Sequence, residues 1–546
     1  MELNYPNHSM VAQVAITAQQ HPRRIAYDFM GKRVTYATLM DNINQTAASF
    51  AALGVTAGMR VCLCLPNCPH GVESLYALNT IGAVACMIHP LSSPDEISYY
   101  VNHVNSSVIV TLDLFYPTVQ AALAKVDHPC TVIVTDISAQ LPTLKRWGYP
   151  LVNKRTPALQ GEHLRWKTFA QNTAPFPKEA GTGDDVAVLL YSGGTTGKPK
   201  GICLTNKNLN ALALQTVKAG GWDSILGDKM LSVMPMFHGF GLGVGIHTPL
   251  VGGAQCILVP RFTPDSYAKL VKTKKPQFIP GVPSLFAALL QAKPLQKADL
   301  SFLKGVFSGG DSLSPALKKQ VDAFLKERGS PVPVREGYGT TECVTASCLT
   351  PSGKEKEGSI GLPYPDTHYA IVEPDTTTHL PAGTEGEICL WGPTVMAGYL
   401  NDEASTHQAL KRHADGNLWL HTGDLGCMDT DGYVYFKGRL KRMIVTNGYN
   451  VYPAQLEEVL MQHPSITECC IIGVKDPIRG QRVCACVVAK APITLEECRE
   501  FCRQSVARYA LPKQLILKET LPKTPIGKIA YRTLEEEANE KAQPNL

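Results

Sequence analysis

The chain has 546 residues, 44% of them hydrophobic, 18% charged and 7% aromatic, which is enough apolar content for several cores and excludes a disordered chain. Lys and Arg number 52 against 47 Asp and Glu, too thin an excess over this length for a nucleic-acid surface, though compatible with small anions. The start, Met-Glu-Leu-Asn-Tyr-Pro, lacks the basic and apolar regions of a signal peptide. Asn79, Gly82 and Pro90 break the uncharged run between Glu73 and Asp95, so no transmembrane segment is expected and 17 cysteines imply a reducing, cytoplasmic setting.

In chain order, Arg33–Leu39 introduces a helix toward Leu53, Arg60–Leu65 reads as a strand and 71–81 as a helix. Val84–His89 and Ser107–Thr111 read as further strands. Apolar strands alternating with helices predict a mostly parallel sheet covered on both faces. The rhythm recurs from Asp185 to about Leu349, with strands at 186–191, 254–259, 278–280 and 306–308. From Gly358 to Phe436, short alternating strands punctuated by Gly, Pro and Asp-Gly predict an antiparallel, barrel-like unit. After Gly438 a compact α+β segment follows, with helices at 453–462 and 495–507 and strands at 469–474 and 482–489. The residues from Glu535 onward read as a frayed polar tail. Cys62, Cys64 and Cys68, and Cys484 and Cys486, fall in apolar strand patterns and read as small hydrophobes; no metal site is assigned to them.

The strongest chemical signal is Tyr191-Ser-Gly-Gly-Thr-Thr-Gly-Lys-Pro-Lys-Gly201, directly after the apolar strand. Gly193, Gly194 and Gly197 let backbone N–H groups turn toward an anion, Ser192, Thr195 and Thr196 add hydroxyls, and Lys198 and Lys200 add charge. The loop suits the β- and γ-phosphates of ATP. It is not a Walker A loop: only three residues separate Gly193 from Gly197, and Pro199 stands where that motif has its metal-binding hydroxyl.

With this loop go Met236-Phe-His-Gly-Phe-Gly-Leu242, Ser308-Gly-Gly-Asp311, Arg335-Glu-Gly-Tyr-Gly-Thr-Thr-Glu342, Trp419-Leu-His-Thr-Gly-Asp-Leu-Gly426, Gly438-Arg-Leu-Lys441, Asn447-Gly-Tyr-Asn450 and Pro525-Ile-Gly-Lys-Ile-Ala-Tyr-Arg532. In this order the set resembles the adenylate-forming superfamily of acyl-CoA synthetases, adenylation domains and firefly luciferase, across nearly the whole chain. The resemblance implies an α/β fold: a large N-terminal adenylation domain, 1–438, of two doubly wound αβα subdomains plus a distorted β-barrel, and a small C-terminal α+β lid, 439–546, hinged near Lys441.

The resemblance also implies roles. Gly309, Gly310, Asp311, Gly337, Tyr338, Gly339 and Thr340 would hold adenine, with the Tyr338 ring stacked on it. Thr341 would donate to the α-phosphate and Glu342 would hold Mg²⁺, a hard cation suited to carboxylate. Asp424 would accept the ribose hydroxyls, with Arg439 beside it. Lys528 would bridge the carboxylate substrate and the α-phosphate. His238 would lie beside the acyl carboxylate; amino-acid-activating relatives usually carry Asp at that place, so His238 argues for an acid without an α-amino group. Phe240, Leu242, Val244 and Ile246 fit an apolar tail or a core helix equally. Gly448 and Tyr449 would face the thiol acceptor. Val445, Thr446 and Asn447 stand where some relatives carry a further lysine, and that role is not carried over.

The implied activity is ATP-dependent carboxylic acid–CoA ligation through an acyl-adenylate, with ATP, Mg²⁺ and coenzyme A. The alternatives are a stand-alone enzyme loading a carrier-protein phosphopantetheine, an aryl or steroid acid–CoA ligase, or a silent adenylate-binding relative. The last would be expected to lose Lys528, Glu342 or Asp424, and all three are present. The identity of the acid and the choice between monomer and homodimer stay open at this point.

Overall fold

The computed structural model describes residues 3–142, 145–146, 159, 163–171, 175, 180–192, 199–446, 449–451, 453–476, 480–503, 505–506, 509–523 and 529–542. Strand Arg60–Cys64 shows how the first sheet is specified. Val61, Cys62, Leu63 and Cys64 are all buried, so both faces of the strand are covered and the sequence is a continuous apolar run instead of an alternation. The helix that follows, Pro69–Ile81, is buried on every side, which explains why it is uncharged apart from Glu73.

The first sheet has eight strands in the order Gly398–Tyr399, Lys200–Thr205, Val186–Ser192, Val84–Met87, Arg60–Cys64, Val108–Leu112, Thr131–Thr135 and Leu164–Arg165. Its middle is parallel, and Lys200–Thr205 turns back antiparallel on Val186–Ser192. Val186–Ser192 thus belongs with the first run of strands, beside Val84–Met87, and carries Lys200–Thr205 with it, whereas the strands at 255–258, 278–281 and 305–308 join the second sheet. The second sheet has nine strands, centred on the parallel neighbours Phe278–Gly281, Gly305–Ser308 and Val334–Tyr338. The N-terminal strand Ile25–Phe29 pairs in parallel with Gln255–Leu258 in this sheet. Helices alternate with both sets of strands, giving the expected doubly wound α/β arrangement.

Two five-stranded sheets follow. One is made of His368–Val372, Gly386–Trp391, Leu410–Arg412, Leu418–Met428 and Val434–Arg439, with antiparallel pairing along Leu418–Met428. The other contains Ile444–Thr446, Tyr449–Val451, Ile466–Asp476, Gly480–Ala489 and Gln514–Leu517, with helices Pro453–Leu460, Leu495–Cys502 and Tyr531–Ala542. The last of these corrects the sequence reading of a frayed tail: Leu534 and Ala538 are buried against Cys470, Ile472, Cys484 and Leu521. The chain divides into two compact units, Met1–Tyr369 with Leu390–Leu420, and Ala370–Cys389 with His421–Leu546. Among the described residues no helix is long and apolar enough to cross a membrane.

Candidate active site

In the first unit, the Gly-rich segment joins two paired strands. Ser192 stands opposite Lys200 and Tyr191 opposite Gly201; residues 193–198, with Gly193, Gly194, Thr195, Thr196, Gly197 and Lys198, and the Ser192 side chain lie outside the described residues. Helix Pro94–Val104 holds both flanks. The Tyr191 ring packs 4.3 Å from Tyr100, its hydroxyl lies 3.2 Å from His103 Nδ1, and Tyr99 donates to the Pro199 carbonyl at 2.8 Å. Lys200 reaches Ser405 Oγ at 2.5 Å, Asp402 at 3.9 Å and the face of Tyr399 at 4.9 Å.

The second sheet supplies a second group. Strands Gly305–Ser308 and Val334–Tyr338 run in parallel with Ser308 opposite Glu336, so Gly309-Gly310-Asp311 leaves its strand beside Gly337 and Tyr338, which stay paired with Leu349 and Cys348 on their other side before the chain turns at Gly339. This is the carboxyl end of parallel strands, where α/β folds bind ligands. Arg335, buried one strand position earlier, is spent elsewhere: it donates to the carbonyls of Ala219, Gly220 and Thr350 and so closes the C-terminal end of helix Asn206–Gly220.

Thr340, in extended conformation, leads into a single 3₁₀ turn, Thr341–Cys343, whose middle residue is Glu342. The turn is followed by Val344 at φ 67°, ψ −49°, with Thr345 N–H bonded to the Cys343 carbonyl at 2.9 Å. That is a γ-turn centred on a β-branched residue, a strained conformation. Two glycines make room for it. A Cβ on Gly239 would stand 1.5 Å from the Val344 carbonyl oxygen, and one on Gly339 2.0 Å from that of Thr345. The Glu342 turn is therefore clasped between the strand end at Gly339 and the segment carrying His238.

His238 lies just ahead of a π-helix, Phe240–His247, and its carbonyl accepts from Leu242 N–H at 2.9 Å. The Phe237 ring sits 4.9 Å from His238 and 4.4 Å from His89, and burial lowers the pKa of His89. Leu242, Val244 and Ile246 are buried and Phe240 is half-buried. A π-helix beside a strained turn marks a locally costly arrangement of the kind that clusters at functional sites.

In the second unit, Asp424 is buried on strand Leu418–Met428 and stands in register with Arg439, whose Nε lies 3.2 Å from Asp424 Oδ1. The strand residues just before it are fastened by a residue that sequence reasoning missed. Glu387 accepts from Gly423 N–H at 2.9 Å with Oε1 and lies 2.7 Å from His421 Nδ1 with Oε2, while Thr422 donates to the Ile388 carbonyl. Cys389 lies with these two in a buried group whose metal-capable atoms are within 4.8 Å of one another, but both Glu387 oxygens are already engaged. Lys441 falls in a 3₁₀ turn, Leu440–Arg442, and Tyr449 begins strand Tyr449–Val451; nothing is described of their side chains. Gly448 and Lys528 lie outside the described residues.

Tyr399 was also missed. Its hydroxyl donates to Glu342 Oε1 at 3.0 Å, yet a Tyr within Gly398-Tyr-Leu-Asn401 has no spacing that marks it.

A family model described as AMP-binding enzyme matches residues 14–400, and one described as AMP-binding enzyme C-terminal domain matches residues 455–528. The chain is 36% identical over 560 residues to a long-chain-fatty-acid–CoA ligase of Bacillus subtilis (strain 168), covering 99% of this chain and 96% of that one. It is 31% identical over 510 residues to 4-coumarate:CoA ligase 1 of Petunia hybrida, covering 92% and 88%. Among solved structures, ATP-bound MatB from Rhodopseudomonas palustris matches with a TM-score of 0.85 at 25% identity, covering 98% and 100% of the two chains.

Proposed function

Because the chain belongs to the AMP-binding enzyme family, we propose that it is an ATP-dependent acid–CoA ligase whose substrate is an apolar carboxylic acid, a fatty acid first. The observation that carries the site assignment is that Gly309–Asp311, the strand end Gly337–Tyr338 with Gly339, and the Thr341–Glu342 turn lie together at the carboxyl end of two parallel strands. It supports a nucleotide lying across the glycines with its phosphates toward Glu342.

In this reading a carboxylate oxygen attacks the α-phosphorus, the bond to the bridging oxygen breaks, and pyrophosphate leaves. The CoA sulfur then attacks the acyl carbon and AMP leaves. Tyr338 stacks on adenine, Thr341 donates to the α-phosphate, and the hydroxyls and lysines of 192–200 hold the outer phosphates. Asp424 and Arg439 take the ribose, and Lys528 counters the charge that builds as two anions meet. Glu342 fits Mg²⁺, since a carboxylate with one oxygen taken by Tyr399 still offers the other; the ion, when bound, neutralises phosphate charge. His238 and Phe237 wall the acyl carboxylate, and Gly448 and Tyr449 face the thiol. The residues after Gly438 act as the lid, with Lys441 as its hinge. Seventeen cysteines without a disulfide support a cytoplasmic setting.

Pyrophosphate release, measured over acids of increasing chain length, cinnamate-type and steroid acids and the standard amino acids, with and without CoA, tests the reading. Apolar acids should release pyrophosphate and yield thioester with free CoA. Brisk release with any standard amino acid overturns the assignment, and thioester formed only on a phosphopantetheinylated carrier protein moves it to the carrier-loading alternative.

A further inference from the structure

The segment Thr394–Asn401 ties together two parts of the site that are far apart in sequence. Met396 N–H donates to the backbone carbonyl of Glu342 at 2.8 Å. Ala397 and Leu400 donate to the carbonyls of Cys203 and Gly201 at 3.0 and 2.7 Å, so Gly398–Tyr399 forms a short edge strand on Lys200–Thr205. At the centre of this strap Tyr399 does three things. Its N–H donates to Thr406 Oγ1 at 2.9 Å, its hydroxyl donates to Glu342 Oε1 at 3.0 Å, and its ring face lies 4.9 Å from Lys200 Nζ. Among the described residues no other hydrogen bond is made to the Glu342 carboxylate, so Oε2 is left for a ligand.

A carboxylate on a solvated turn samples several rotamers, and a cation that binds it must freeze one of them. A phenol that already holds one oxygen removes that cost before the cation arrives, and a neutral donor does so without competing for the metal. Resting on the reading above, we propose that Tyr399 is a positioning residue for cation binding: it presents Glu342 Oε2 to the divalent metal of the metal–ATP complex while its ring seats Lys200.

The test uses the full chain with Mn²⁺ as the probe, following free Mn²⁺ by electron paramagnetic resonance in the presence of ATP and without any acid, so that no turnover occurs. Binding of metal-free ATP is measured separately in EDTA by calorimetry. The proteins are the unaltered chain, Tyr399→Phe, which keeps the ring and its packing, and Glu342→Gln. Tyr399→Phe is expected to weaken Mn²⁺ binding in the ATP complex about 10- to 100-fold, in the range for a lost outer partner of a metal ligand, with metal-free ATP affinity unchanged. Glu342→Gln should weaken it at least as much. If Tyr399→Phe binds Mn²⁺ like the unaltered chain while Glu342→Gln does not, the positioning role is overturned and the site assignment stands. Equal weakening of Mn²⁺ and metal-free ATP binding in Tyr399→Phe overturns it in favour of a packing role. If Glu342→Gln binds Mn²⁺ as well as the unaltered chain, it is the placement of the metal at Glu342 that fails.

Discussion

His247 shows what a single buried residue contributes to the behaviour of the chain. It closes the π-helix after His238, fully buried, with Nδ1 2.9 Å from the Tyr76 hydroxyl and Nε2 3.0 Å from Asn210 Oδ1. Desolvation lowers its pKa to about 3. Unfolded, it titrates near 6.5, so between these values the unfolded chain binds a proton that the native chain refuses. Its stabilisation is therefore whole above about pH 6.5 and lost as pH falls toward 3, reaching a loss of about 2 kcal/mol at pH 5. His247→Gln retains a donor and an acceptor but does not titrate. Urea unfolding at pH 7 and pH 5 should show the variant losing about 2 kcal/mol less over that interval; equal losses would mean that native His247 does take up the proton. A second residue prediction concerns Lys528. If it counters charge at the reacting phosphate, Lys528→Ala should slow adenylate formation by about two to three orders of magnitude. Thioester formation from a preformed acyl-adenylate should persist, and equal loss of both steps in separate single-turnover assays would give Lys528 another role.

At the scale of elements, strands buried on both faces were the most legible, because a run such as Val61–Cys64, closed in by Gly58 and Pro66, is too short for a helix although its periodicity alone does not exclude one. The C-terminal helix was not. Tyr531, Leu534 and Ala538 recur at the spacing of one helix face, but Glu535, Glu536 and Glu537 between them look like a solvated tail. Two buried residues suffice there because the helix covers one flank of a sheet whose outward cysteines and valines need shielding. Leu534→Ala should thus cost the second unit about 2–5 kcal/mol, read as loss of amide-exchange protection in strand Ile466–Asp476 with the first unit's protection retained. Unchanged protection would mean that the helix is dispensable to that core. The γ-turn at Val344 was illegible for a different reason: valine disfavours positive φ, and part of the room for it comes from Gly239, more than a hundred residues earlier.

At the scale of the whole molecule, pairing partners were the least legible feature. Nothing local in Ile25–Phe29 points to Gln255–Leu258, nor in Val186–Ser192 to Val84–Met87; periodicity specifies a strand and its buried faces, not its neighbour. The site motifs were readable because each carries its own chemistry in a short run, whereas Tyr399 and Glu387 act through residues they meet only in three dimensions. The same limit applies to motion, which the proposed two-step chemistry requires. Lys528 is assigned to the first half-reaction and Asn447–Asn450 to the second, yet both follow Gly438, so one segment has to serve two steps in turn. Lys441 is the proposed pivot, and it sits in a lone 3₁₀ turn, Leu440–Arg442, which leads into strand Ile444–Thr446. Arg442 is held by Glu457, and Glu457 also accepts from Ile471 N–H at 2.8 Å, so the residue after Lys441 is tied to the helix and strand that follow it, and the proposed rotation would be absorbed before it. Lys441→Pro fixes φ near −65° and restricts Leu440 as well, which removes the freedom that a pivot needs. The variant should keep adenylate formation and lose thioester formation by at least about tenfold, some 1.4 kcal/mol of barrier. Single-turnover assays of each half-reaction decide it: two rates that fall together, or neither changing, would place the pivot somewhere other than Lys441.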